Sequence, residues 1–145
     1  MEITAIDPGQ TNSAIVVWDG TRIIHSDILL NTDLLNSICM RDESGPLVLE
    51  WITGYGIPAG AETFDTCRWI GRFQQAYKGE SYLLPRRTIK QHFQASNDRF
   101  IRQALVDRFG QPGTKKNPGL LYGITSHKLA AFACAVCWWD LHRAG

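Results

Sequence analysis

The sequence predicts an α/β fold built on a mixed sheet, with a three-strand antiparallel meander followed by parallel strands and helices on both faces. Three observations predict it. Short apolar runs separated by turn residues fill the first thirty positions. The continuous run PLVLEWI at 46–52 reads as a strand buried on both faces. Beyond it, segments of helical periodicity alternate with one further short apolar run.

The elements follow in order. Glu2 to Asp7 is a short apolar strand ending on an acid. Pro8-Gly9 with Thr11-Asn12 turns the chain, and Ser13 to Trp18 returns as a second strand. Asp19-Gly20 is a hairpin signal that places a third strand over Thr21 to Ser26. Leucines and isoleucine at helical spacing give a short helix over Asn31 to Arg41. After the 46–52 strand, Gly54, Gly56, Pro58 and Gly60 make a loop. A helix follows over Ala61 to Lys78, with Phe64, Cys67, Trp69, Ile70 and Phe73 available for its apolar stripe. Ser81 to Leu84 is a strand closed by Pro85, and Thr88 to Ala95 is a brief helical segment or a turn. In the helix from Asp98 to Phe109, Asn97 suits the cap, Phe100, Ile101, Ala104, Leu105 and Phe109 recur at helical spacing, and Gly110 ends it. Gln111 to Gly119 is a polar loop expected to be mobile, and Ser126 to His142 is an alanine-rich last helix.

Length and composition narrow the class. The 145 residues fit one domain, 1–145. A hydrophobic share of 44% with 20% charged residues argues for a packed core and against disorder. The opening residues lack the layout of a signal peptide, and no apolar run approaches the ~20 residues of a membrane span, so a soluble, cytoplasmic protein is expected. Cys39, Cys67, Cys134 and Cys137 offer one CxxC pair inside a helical segment and no second pair, which reads as buried thiols rather than a zinc site.

Net charge is only +1, but its distribution is uneven. Up to Glu50 the acids Glu2, Asp7, Asp19, Asp27, Asp33, Asp42, Glu43 and Glu50 face only Arg22 and Arg41. From Arg86 to Lys116 the balance inverts, with Asp98 and Asp107 the only acids among eight Arg and Lys residues. Carboxylates for a metal beside cations for phosphates is a nuclease pattern, and solvated surface charge reads equally well on this feature alone.

Two acids stand out. Asp7 closes a strand just before Pro-Gly, and Glu50 interrupts a buried one. A carboxylate in such a strand must be paired, neutral or holding a metal, since a lone buried charge costs several kcal/mol. If the two strands are neighbours, the acids converge at one end of the sheet. Mg²⁺ or Mn²⁺ binds through such carboxylates plus water and phosphate oxygens, and two ions ~3.5–4 Å apart serve phosphodiester hydrolysis. The plainer alternative leaves Glu50 at an edge and Asp7 at the start of a turn.

AIDPGQTNSAIVVWDG resembles the first hairpin of RuvC-type Holliday-junction resolvases, where an IDPG segment carries the first metal-binding Asp. LVLEWITGYG resembles their strand with the second acid, and GITSHKLAAFACAV their last helix. The resemblance runs over the whole chain and is nearest to short resolvase-like proteins of phages and prophages. It implies an RNase H-like fold and a metal-dependent endonuclease acting on four-way DNA junctions, with Asp7, Glu50 and His127 as ligands of Mg²⁺ or Mn²⁺ and a homodimer as the working form. The family's fourth acid would fall at Ala130. Asp140 lies thirteen residues beyond His127, about 20 Å along a helix, and cannot replace it. Asp98 is the possible additional acid.

His127 reads either as a ligand or proton shuttle, as the family match suggests, or as a surface residue at a helix start. Arg86, Arg87, Lys90, Lys115 and Lys116 are candidate DNA phosphate contacts. Tyr55 suits stacking on an unpaired base or core packing equally. Trp138 and Trp139 suit the core or a dimer contact. DPGQTNSAIVV also resembles the phosphate loop of actin and heat-shock chaperone ATPases, but one copy in a chain of this length argues against a nucleotide cofactor. The remaining alternatives are a non-catalytic branched-DNA-binding module and a nuclease of the same fold acting on flaps or RNA.

Overall fold

A computed structural model describes residues 1–41, 45–52 and 59–143. The strands are β1 (Ile3–Asp7), β2 (Asn12–Trp18), β3 (Ile23–Leu30), β4 (Leu47–Trp51) and β5 (Ser81–Pro85). The helices are α1 (Asn31–Cys39), α2 (Ala61–Ala76), α3 (Arg86–His92), α4 (Asp98–Phe109) and α5 (Ser126–Arg143). Among the described residues the strands form one sheet in the order β3-β2-β1-β4-β5. The first three pair antiparallel, while β1 with β4 and β4 with β5 pair parallel. The predicted mixed α/β architecture is the observed one.

Alternation along the strands divides the core into two layers. Ile3 and Ala5 of β1, Ala14, Val16 and Trp18 of β2 and Val48 of β4 face α5, with α3 and α4 beside it. Ile6, Ile15, Val17, Leu47 and Leu49 face α1 and α2. Helix α5 lies across β1, β2 and β4, and its Ala131, Ala133 and Ala135 are buried in the same layer as Ala5 and Ala14 of the sheet. Trp18 anchors this layer, its ring edge-on to Phe109 and Phe132 at 5.9 and 5.5 Å. Trp138 is buried against Tyr82, and Trp139 packs on Trp18. Trp138 belongs to the core, and Trp139 is half-buried at its edge.

Several boundaries differ from expectation. The third strand is longer and starts later, because the Asp19 carboxylate accepts from the Thr21 and Arg22 N–H groups and keeps them in the turn. The ladder then continues until Asn12 meets Leu30. In α2 the buried stripe is Thr66, Ile70 and Phe73, and Phe64, expected to be inside, is 61% exposed. Phe100 is likewise outside, leaving Ile101 and Leu105 as the buried face of α4. The 111–119 segment, expected to be mobile, folds back on itself: Gly113 bridges Pro118, and Gly119 N–H donates to the Pro112 carbonyl at 2.8 Å. The cysteines are not uniformly buried. Cys134 and Cys137 are, and burial pushes Cys137 up to about 12, whereas Cys67 is half-buried and Cys39 is exposed. Leu34 and Ile38 already fill the inner face of α1, which turns Cys39 outward. Among the described residues no helix is long and apolar enough to cross a membrane.

Candidate active site

The parallel pairing of β1 with β4 aligns Ile6 with Leu49, so the next residues, Asp7 and Glu50, stand side by side where both strands end. Strand alternation puts their side chains on the α5 face, with Ala5 and Val48. One residue past β5, Arg86 begins α3 at the same end of the sheet. His127, second residue of α5, closes over the pair: its Nδ1 is 2.8 Å from Asp7 Oδ2. Open α/β sheets place ligand sites at this carboxyl end of their strands.

The turn carrying Asp7 is braced by residues that sequence reasoning did not single out. Ser13 and Asn31 are both buried. Gly9 N–H donates to Ser13 Oγ at 3.1 Å, Ser13 donates to Asn31 Oδ1 at 2.6 Å, and Asn31 Nδ2 donates to the Gly9 carbonyl at 2.8 Å. This closed circuit fixes the Pro8-Gly9 corner and therefore the direction of Asp7. Such contacts join residues 18 and 22 positions apart, which local pattern does not reveal.

A cavity of about 360 Å³ opens here. Asp7, Glu50 and His127 line it together with Arg86, Asp98, Arg99 and Arg102, and its apolar wall includes Ile89, Ile101, Leu129 and Ala133. Glu50 is only 7% exposed. Burial, reinforced by the neighbouring Asp7 carboxylate, pushes its pKa up to about 8. Arg86 partly offsets this, with Nη1 3.5 Å from Glu50 Oε1 and Nη2 2.7 Å from Asp98 Oδ1.

The predicted site residues therefore divide. Asp7, Glu50, His127, Asp98 and Arg86 come together around the cavity. Asp98 is tied to it through Arg86 rather than beside Asp7. Arg87 and Lys90 line a separate shallow depression along α3. Lys115 and Lys116 are exposed on the 113–118 hairpin and do not line the cavity. Tyr55 lies outside the described residues. Arg99 and Arg102, which do line the cavity, were visible in the sequence only as part of a basic stretch. Their spacing of three on a helix already put both on one face.

Asp140 is held elsewhere. Arg108 donates to both of its oxygens, at 2.7 and 2.9 Å, and His92 Nε2 lies 2.7 Å away. Burial alone would raise its pKa, but the Arg108 and His92 hydrogen bonds keep it below the ordinary carboxylate value. This cluster joins the C-terminal ends of α3, α4 and α5, whose N-terminal ends border the cavity.

The donor set suits a hard divalent cation. Among the described residues no three His, Cys, Asp or Glu side chains form a ready-made ligand group. Two crowded carboxylates with an imidazole beside them still meet the needs of Mg²⁺ or Mn²⁺, which take one or two carboxylates and complete their shells with water and phosphate oxygens. A cation would also offset the burial and the Asp7 repulsion that keep Glu50 protonated.

No family model and no curated protein sequence matches the chain. Solved structures do. RuvC of Thermus thermophilus superposes with a TM-score of 0.69 at 17% identity, covering 100% of this chain and 97% of that one. T. thermophilus RuvC in complex with Holliday junction substrate gives 0.66 at 18%, covering 100% and 96%. With the mixed sheet, its strand order and its full-length superposition, the chain has the RNase H-like fold of RuvC.

Proposed function

We propose that this chain is a divalent-metal-dependent endonuclease that hydrolyses phosphodiester bonds in branched DNA, as a Holliday junction resolvase working in the cytoplasm. The observation that carries the reading is the convergence of Asp7, Glu50 and His127 in a cavity flanked by Arg86, Arg99 and Arg102. It is supported by a fold shared with a protein seen in complex with Holliday junction substrate. Asp7, Glu50 and His127 would hold Mg²⁺ or Mn²⁺. When bound, such an ion supplies the Lewis acidity that activates water and offsets charge on the phosphate.

The chain's own residues do the rest. Asp7, fixed by the Gly9–Ser13–Asn31 circuit, keeps one carboxylate at a constant place on the sheet edge. Its hydrogen bond to His127 Nδ1 holds an exposed imidazole at the cavity mouth and leaves Nε2 as the nitrogen that would meet the ion. The buried wall of Ile89, Ile101 and Leu129 limits bulk water on one side. Arg99 and Arg102, exposed on α4, grip the backbone phosphates of the incoming strand. Two symmetric cuts across a junction require two such sites, so the working form is a homodimer.

The test is cleavage of a synthetic four-way DNA junction with Mg²⁺, Mn²⁺ or chelator, with linear duplex, flap and RNA junction alongside. Paired nicks that need metal and vanish in Asp7→Asn are expected. Ala130, which lines the cavity without offering a donor, favours a second reading, a branched-DNA-binding module with weakened catalysis. Tight junction binding without cleavage under either metal would select it.

The phosphate grip has its own signature. Arg99→Ala with Arg102→Ala should weaken junction binding across all sequences tested. The slope of log affinity against log salt should become shallower by about 2. An unchanged slope would remove both arginines from the DNA path.

A further inference from the structure

The cavity already contains a fixed cation. Arg86 spans two carboxylates, with Nη1 3.5 Å from buried Glu50 and Nη2 2.7 Å from Asp98 at the exposed rim. On the other side of the acid pair, His127 is bonded to Asp7. The pair is thus flanked by an imidazole and a guanidinium. The wall next to His127 is Leu129, Ala130 and Ala133, which present no donor.

A second divalent ion would need carboxylate ligands of its own. Beyond Asp7 and Glu50, the only carboxylate lining the cavity among the described residues is Asp98. Its Oδ1 is already engaged by Arg86. Charge points the same way. Three carboxylates, Asp7, Glu50 and Asp98, share the cavity with three guanidiniums, Arg86, Arg99 and Arg102. Each divalent ion adds two positive charges to a lining with no surplus of negative ones, so a second, repelled by the first and by Arg86, costs more than the first. One ion can be accommodated by the Asp7–Glu50 pair. A guanidinium suits the remaining place because it is permanently charged and its planar fork meets two carboxylates at once.

We propose that this chain takes a single divalent ion, at Asp7, Glu50 and His127, and that Arg86, held between Glu50 and Asp98, occupies the place of a second. The inference rests on the metal-nuclease reading, and ion counting separates the two.

The experiment is titration of the full chain with Mn²⁺, counting bound ions per chain by calorimetry and by the paramagnetic resonance signal of free Mn²⁺. Wild type should bind one ion, and Asp7→Asn should lose it. Arg86→Gln, which releases Asp98 and Glu50 from the guanidinium, should bind two. Arg86→Lys, which keeps the charge, should stay at one. Two ions on the wild type, one on Arg86→Gln, or none on the wild type would each overturn the proposal. The wild-type count decides even if Arg86→Gln fails to fold. One ion per chain with no junction cleavage would discard the nuclease reading and leave the single-ion site standing. Two ions with metal-dependent cleavage would do the reverse.

Discussion

Glu50→Gln should abolish metal-dependent junction cleavage and, in the same molecule, raise the melting temperature of the metal-free protein at alkaline pH. The two effects have one cause. Glu50 is buried beside Asp7 at a strand end, where burial and the Asp7 charge push it up to about 8 from an ordinary 4.5. The unfolded chain holds this proton only below about pH 4.5, the folded chain up to about 8. The proton therefore supports the fold fully at low pH, and that support is lost as pH rises through the folded value. At about 1.4 kcal/mol per unit, ionised Glu50 burdens the metal-free fold by on the order of 5 kcal/mol at pH 9. Glutamine keeps the shape beside Asp7 without ever ionising. For a chain of this size the variant should melt on the order of 10 °C above wild type at pH 9 and within about 2 °C of it at pH 4. Cleavage should fall by roughly three orders of magnitude or more, since one of two anionic ligands is gone. Equal melting shifts at both pH values would show that folding does not raise the pKa of Glu50.

Gly9→Ala should damage stability and activity together. A Cβ at this position would lie 2.3 Å from the carbonyl oxygen of Asn12, a backbone atom with no freedom to move alone. The corner must open, straining the bonds that join Gly9 to Ser13 and Asn31. A loss of about 2–3 kcal/mol in unfolding free energy is expected. Cleavage should drop about a hundredfold, because a displacement near 1 Å at Asp7 spoils the alignment of the reacting groups. Gly71→Ala is the control. It sits inside α2 with nothing within 4 Å of the added methyl, and should gain up to about 1 kcal/mol. Gly9→Ala cleaving at a wild-type rate would mean that the turn does not set the position of Asp7.

Much of this was readable before any coordinates. A strand ending in Ile-Asp-Pro-Gly and an acid inside PLVLEWI identify Asp7 and Glu50, because neither carboxylate is easily explained by burial alone. What remained hidden depends on packing between distant segments. Ser13 and Asn31 look like an ordinary strand residue and a helix start until the fold brings them to Gly9. Arg99 and Arg102 were lost in a run of basic residues, because the direction in which α4 presents them follows from Ile101 and Leu105 going inward. Lys115 and Lys116 carry the same charge, and their hairpin does not line the cavity. Composition says that cations are present. Only helix orientation says which of them meet the site.

The Asp140 clasp has a mechanical consequence. Helices α3, α4 and α5 bring Arg86, the Arg99–Arg102 pair and His127 to the cavity at one end, and are fastened together through His92, Arg108 and Asp140 near the other. The placement of the groups at the mouth is thereby tied to a joint distant from the chemistry, one that holds all three helices through a single carboxylate.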